Sequence, residues 1–239
     1  MLTNALCWSG TEADVEKIVL ITGASGGLGS AVTSEFLAGG DRVVGVSRSI
    51  KQSEFPHDNF VAYPADITQD DKTRELVASV TERFGRIDSL VHVMGGFAAG
   101  AVHETDDATW AKMRDMNLTA AFNIARAVIP VMRKARAGRI IAVGSRAAHE
   151  RHPGIAAYSA FKVALASLIQ SIAAENKRFG ITANIVLPGT MDTPGNRSPG
   201  ADTTLWVPPQ AVAKLIVFLA SDAASHVNAA EIPVSGFDL

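Results

Sequence analysis

Short apolar runs recur along the chain, each followed by a longer stretch with helical spacing of its apolar residues, and this alternation is the strongest constraint on its fold. Residues 18–22, 42–47, 60–64, 89–94, 139–143, 182–187 and 231–234 read as strands. Continuous runs such as Val19-Leu20-Ile21 and Val43-Val44 suit strands buried on both faces. Strand and helix in alternation then give an α/β architecture: a doubly wound parallel sheet of about seven strands, with helices on both faces and right-handed crossovers. Two Ala-rich helices stand out, over 106–135 and 157–178, and form the expected oligomer surface of a dimer or tetramer.

With 239 residues, 47% hydrophobic and 19% charged, the chain has material for one core, so residues 1–239 read as one domain with an N-terminal extension over 1–16. A formal charge of −2 and the lack of any Lys/Arg block leave nothing to attract nucleic acid or an anionic membrane, and favour a small-molecule partner. Cys7 is the single cysteine, which excludes an internal disulfide and a thiolate zinc site and fits a reducing compartment. No secretory leader pattern opens the chain and no run approaches ~20 apolar residues, so a cytoplasmic protein is expected. His149 and His152 lie near Glu150 but lack a third ligand at metal-site spacing, so no metal is expected.

The run Thr22-Gly23-Ala24-Ser25-Gly26-Gly27-Leu28-Gly29 sits between the first strand and a helical pattern that stops at Gly39-Gly40. Glycines at 23, 27 and 29 permit a tight turn, close approach of backbone to a pyrophosphate, and close helix-on-strand packing. The helix N-terminus adds free N–H groups and a partial positive charge. Ser25 and Leu28 belong to the same turn. After the second strand come Ser47-Arg48-Ser49 and no acid. A carboxylate there would bind a ribose 2′-hydroxyl, whereas Arg48 with flanking hydroxyls can receive a 2′-phosphate, so NADP(H) is expected over NAD(H). Asp66 is placed either to accept a hydrogen bond from adenine or to cap the next helix.

Tyr158 and Lys162 stand one helical turn apart on one face. A cation beside a phenol favours the phenolate and lowers its pKa from ~10, which equips Tyr158 to exchange a proton with an alcohol or carbonyl oxygen. Ser145 follows the fifth strand at its C-terminal end, where open α/β sheets bind ligands, and can hold the substrate oxygen. Asn117 interrupts an apolar helix, where it either satisfies backbone groups or holds a water beside Lys162.

Taken together, the 22–29 turn, Asp66-Ile67, Asn117, Ser145 with Tyr158 and Lys162, Pro188-Gly189-Thr190, and the tail from Phe218 through Pro233 resemble the classical short-chain dehydrogenases/reductases from Lys17 to Gly236. The resemblance implies a Rossmann-type domain and NAD(P)(H)-dependent carbonyl/alcohol chemistry. It casts Tyr158 as acid/base, Lys162 as ribose ligand and modulator of the phenol, Ser145 as holder of the substrate oxygen, and Asn117 as part of a proton relay. It also brings Gly95, Pro188, Gly189, Thr190 and Thr193 to the cofactor, while the Pro/Gly-rich composition of 188–209 reads as a loop over the site, the substrate loop.

One family motif is altered, because His92-Val93-Met94-Gly95 stands where the family has Asn-Asn-Ala-Gly. His92 reads as structural, and the sheet must be braced differently. This departure, the 187–197 segment and Trp206 are similar to the dihydropteridine reductase branch. That branch does not use the serine and carries an acid after the second strand. A ketone or aldehyde is therefore the first expectation, a pteridine the second, and a catalytically idle NADP(H)-binding sensor or scaffold the reading from another class.

Overall fold

The structure, a computed structural model, describes residues 16–235. All but the last residue of the expected 1–16 extension, Cys7 included, lies outside them. The strands are β1 (Ile18–Thr22), β2 (Arg42–Ser47), β3 (Phe60–Pro64), β4 (Ser89–His92), β5 (Gly138–Val143), β6 (Ile181–Pro188) and β7 (Glu231–Val234). They form one parallel sheet in the order β3-β2-β1-β4-β5-β6-β7. Between them run α1 (Gly27–Ala38), α2 (Asp70–Phe84), α3 (Asp107–Arg114), α4 (Ala120–Ala135), the short α5 (Arg146–His149), α6 (Ala156–Asn176) and α7 (Pro209–Ala220).

Strand side chains alternate between two cores. Leu20, Val44, Leu90, Ile140 and Ala183 face α2, α4 and α6. Val19, Ile21, Val43, Val91 and Val186 face α1 and α7. Both faces of the central strands are dry, which is why their sequences read as unbroken apolar runs. Burial of such strands at roughly 25 cal/mol per Å² of apolar surface is the dominant stabilisation of this architecture.

Three expectations are corrected. β4 ends at His92 rather than residue 94, because the N–H groups of Val93 and Met94 both donate to the carbonyl of Thr22, at 3.1 Å each, and turn the chain out of the ladder. The helix expected over 106–135 is two helices joined by a π-helical turn, Asp115–Thr119, with Asn117 fully buried at its centre. Lastly, the stretch Ala156–Phe179 is long and apolar enough by length and composition to cross a membrane. It is nevertheless a core helix here, with Phe161, Leu165, Ile169 and Ile172 buried. Apolarity over that length serves burial between sheet and neighbouring helices as well as it serves a bilayer.

Candidate active site

The strand order reverses between β1 and β4, and in open α/β sheets the crevice at such a switch point is where ligands bind. A cleft of about 1010 Å³ opens there, across the C-terminal ends of the strands. Its floor at one end is the glycine turn. Gly23 has φ of +73°, and its N–H donates to Val46 O at 2.7 Å, so the turn is both left-handed and tied to β2. A Cβ on Gly29 would lie 2.0 Å from Gly23 O, so helix and turn approach more closely than any side chain allows. No side chain caps the start of α1, and its N–H groups are left to a ligand. Gly27 meets the buried Thr193, whose methyl packs beneath the turn.

Ser25 and Ser47 join the turn to the end of β2 by a hydroxyl–hydroxyl hydrogen bond of 2.8 Å. Arg48, exposed on the cleft wall, makes no ion pair among the described residues. Leu28, Asp66, Ile67, Gly95, Pro188, Gly189 and Thr190 also line the cleft. Ser49 does not, because the chain turns away directly after β2. Asp66 does not cap α2, whose N-cap is Gln69. Its Oδ1 accepts instead from the N–H of Thr68 at 3.0 Å and the Thr68 hydroxyl at 2.7 Å, which fixes the carboxylate at the cleft.

At the other end, β5 delivers Ser145 and the first turns of α6 deliver Tyr158 and Lys162 into the same space. The Ser145 hydroxyl hydrogen-bonds the Tyr158 phenol. Lys162 is 4% exposed, and its ammonium donates to Val143 O at 2.8 Å. Burial draws its pKa down from 10.5 to about 8. The phenol departs from expectation: burial raises its pKa, opposed only by the Ser145 hydrogen bond. The Lys162 ammonium sits 6.0 Å from the ring centroid and is hydrogen-bonded to Val143 O. Burial thus disfavours the phenolate in the absence of other partners.

Asn117 lies behind the cleft rather than in it. Its Oδ1 accepts from Gly96 N–H at 3.1 Å, and its Nδ2 donates to Gly96 O and Met113 O at 3.0 Å each. Of the two expected roles, the satisfaction of backbone groups is present in these contacts. A Cβ on Gly95 would come within 2.9 Å of Asn117 Oδ1 and 3.0 Å of Lys162 Nζ, so the glycine keeps open a space on which both polar ends converge. His92, 2% exposed, hydrogen-bonds the Thr22 hydroxyl through Nδ1 at 2.9 Å, across the paired ends of β1 and β4. Burial, reinforced by the nearby Lys162 charge, pushes its pKa down to about 3, so it braces the sheet as a neutral imidazole. Sequence reasoning passed over Gly96, Met116 and Asn196, which also line the cleft. Only their fold neighbours distinguish them from ordinary loop and helix residues.

The arrangement can bind a dinucleotide along the glycine turn and exchange a proton at Tyr158 beside a substrate oxygen. Comparison with known proteins agrees in kind. A family model described as short chain dehydrogenase matches residues 17–203. The chain is 32% identical over 240 residues to 2,3-dihydro-2,3-dihydroxybenzoate dehydrogenase of Escherichia coli (strain K12), covering 92% of this chain and 96% of that one. It is 30% identical over 234 residues to the 3-oxoacyl-[acyl-carrier-protein] reductase FabG of Salmonella typhimurium, with the same coverage of 92% and 96%. Among solved structures, ElxO with NADP bound superposes with a TM-score of 0.87 at 26% identity, over 93% of this chain and 98% of that one. An oxidoreductase of the short chain dehydrogenase/reductase family from Burkholderia thailandensis gives 0.84 at 33% identity, over 93% and 92%.

Proposed function

The chain belongs to the short chain dehydrogenase family, a family of oxidoreductases, and we propose that it is an NADP(H)-dependent enzyme that reduces a ketone or aldehyde to an alcohol, or catalyses the reverse oxidation. The observation that carries this reading is the meeting of the Tyr158 phenol, the Ser145 hydroxyl and the buried Lys162 at the end of a cleft whose other end is a glycine turn. NADP(H) fits the residues present. The uncapped start of α1 suits the pyrophosphate, Ser25, Ser47 and Arg48 suit the 2′-phosphate, and the space held open by Gly95 admits the nicotinamide end. The NADP held by ElxO supports the same choice.

When bound, the reduced cofactor supplies a hydride to the carbonyl carbon. Ser145 donates a hydrogen bond to the carbonyl oxygen, and that bond strengthens as negative charge gathers there. Tyr158 gives its proton to the same oxygen, while the cationic Lys162 favours the phenolate left behind. The segment 188–209 forms the substrate cover. In support, Met191 and Val207 form a bridge, Val207 N–H donates to Thr190 O at 2.8 Å, and Arg197 pairs with both carboxylate oxygens of Asp192. The protein works as a homo-oligomer, dimer or tetramer.

The test is NADPH oxidation with purified protein against simple ketones and aldehydes, quinones, 3-oxoacyl thioesters and a quinonoid dihydropterin. Turnover of carbonyl compounds is the expected result. Turnover of the pterin alone would replace the reading, and tight NADPH binding without turnover of any of them would leave a sensor.

A further inference from the structure

Phe97 is 63% exposed, yet its ring lies edge-on to that of Tyr158, with centroids 5.1 Å apart and planes at 71°. Phe97 also lines the cleft, so this open ring faces the space beside the reacting phenol. Its loop is fixed on both sides. Asn117 clamps Gly96, and Gly100 donates to Gly154 O at 2.7 Å and bridges to Ile155, just ahead of the helix that carries Tyr158. Trp206 lines the same cleft, next to Val207, which is held by the Thr190 carbonyl. Met116 and Met191 fill in apolar surface around them.

Three charged side chains at the rim of this end hold one another. Glu150 Oε1 meets Arg146 Nε at 3.0 Å, and Glu150 Oε2 meets His152 Nε2 at 2.9 Å. An ionic substrate that engaged Arg146, Glu150 or His152 would have to break these contacts, at the cost of the hydrogen bonds they contain. What remains on offer beside the reacting phenol is aromatic edge and face together with polarizable thioether.

We infer that the substrate is an uncharged aromatic carbonyl compound, whose ring packs against Phe97 and Trp206 while its oxygen meets Ser145 and Tyr158. This inference deepens the carbonyl reading and rests on it. The experiment compares phenylacetone, its saturated counterpart cyclohexylacetone and the charged 4-(2-oxopropyl)benzoate as NADPH-dependent substrates of the wild-type protein. The methylene between ring and carbonyl keeps the reactivity of the three similar.

The expected kcat/KM for phenylacetone exceeds that for either comparison by about tenfold, the scale of one or two aromatic contacts. Phe97→Leu and Trp206→Leu should each shrink that ratio through KM for phenylacetone. Calorimetric titration of phenylacetone into each variant should show the same weakening, with melting temperatures unchanged because Phe97 lies outside the core. Equal or better use of cyclohexylacetone, preference for the benzoate, or a ratio untouched by both variants overturns the inference while carbonyl reduction stands. Should NADPH be oxidised with none of these probes, nor with short aldehydes or 3-oxoacyl thioesters, the carbonyl reading itself falls and takes the inference with it.

Discussion

Individual side chains carry the sharpest expectations. Ser145, 8% exposed and bonded to the phenol, is placed to stabilise charge that exists only in the transition state of carbonyl reduction. By comparison with the loss of one oxyanion donor elsewhere, Ser145→Ala should lower kcat by on the order of 10²–10³. Tyr158→Phe should cost at least as much, because it removes the proton source. Steady-state rates of Ser145→Ala within about threefold of wild type would favour a pterin, whose reduction puts charge on ring nitrogens instead. At the far end of the cleft, Arg48 is the residue proposed to receive the cofactor's 2′-phosphate. A charge-assisted contact of roughly 1.5–3 kcal/mol corresponds to about ten- to hundredfold in affinity. Arg48→Ala should therefore raise KM for NADPH by that factor and leave NADH use nearly unchanged, whereas equal losses with both cofactors would contradict the assignment.

Among the elements, the connection from β4 to α3 and the π-helical turn after α3 act as one unit. Asn117 projects from that turn and bonds both backbone groups of Gly96, and the neighbouring Gly95 sits against Asn117 Oδ1 and Lys162 Nζ. An added methyl at Gly95 would press on both, and the lysine has little freedom to withdraw because it is bonded to Val143 O. Gly95→Ala should then cost about 10² in kcat/KM, the usual scale of a small misplacement of catalytic groups. The fold should tolerate it, since the strain falls on side-chain ends and not on the sheet. A variant with wild-type kinetics and an unshifted melting temperature would show that the space is not needed. The π-helical turn was not legible from the sequence. Apolar spacing through 106–135 is continuous, and one extra residue in a helix leaves that periodicity almost unaltered.

For the whole molecule, burial of the Lys162 ammonium works against stability. Its folded pKa, about 8, lies below the ordinary 10.5, so the unfolded chain binds the proton more tightly and the burial penalty is fully present below pH 8. The shift corresponds to about 3 kcal/mol at ~1.36 kcal/mol per unit. Lys162→Met should accordingly be inactive yet more stable at pH 7, with the gap between variant and wild type closing as pH rises from about 8 towards 10.5. Thermal denaturation at a series of pH values checks this, and a less stable Lys162→Met at pH 7 would contradict it. Assembly belongs to the same scale. Phe122 on α4 and Val163 on α6 are 45% and 44% exposed on the two long helices expected to pair, and Phe218 on α7 is 46% exposed. Light scattering at micromolar concentration should report a dimer or tetramer, and a monomer would reject the expectation.

Periodicity and residue identity determined by themselves the parallel sheet, the glycine turn and the placing of Ser145, Tyr158 and Lys162 towards one cleft, because each depends on short-range spacing. A buried parallel strand must be apolar throughout, a turn of this tightness must be glycine, and two groups one helical turn apart must share a face. Tertiary structure alone decided which way the ammonium of Lys162 points, that burial raises the pKa of Tyr158, and that His92 braces β1 against β4. It also decided that Asn117 serves the backbone of Gly96 and that Ser49 turns away from the cleft. All of these depend on desolvation and on partners distant in the chain. Such forces exist only once the packed interior has been built.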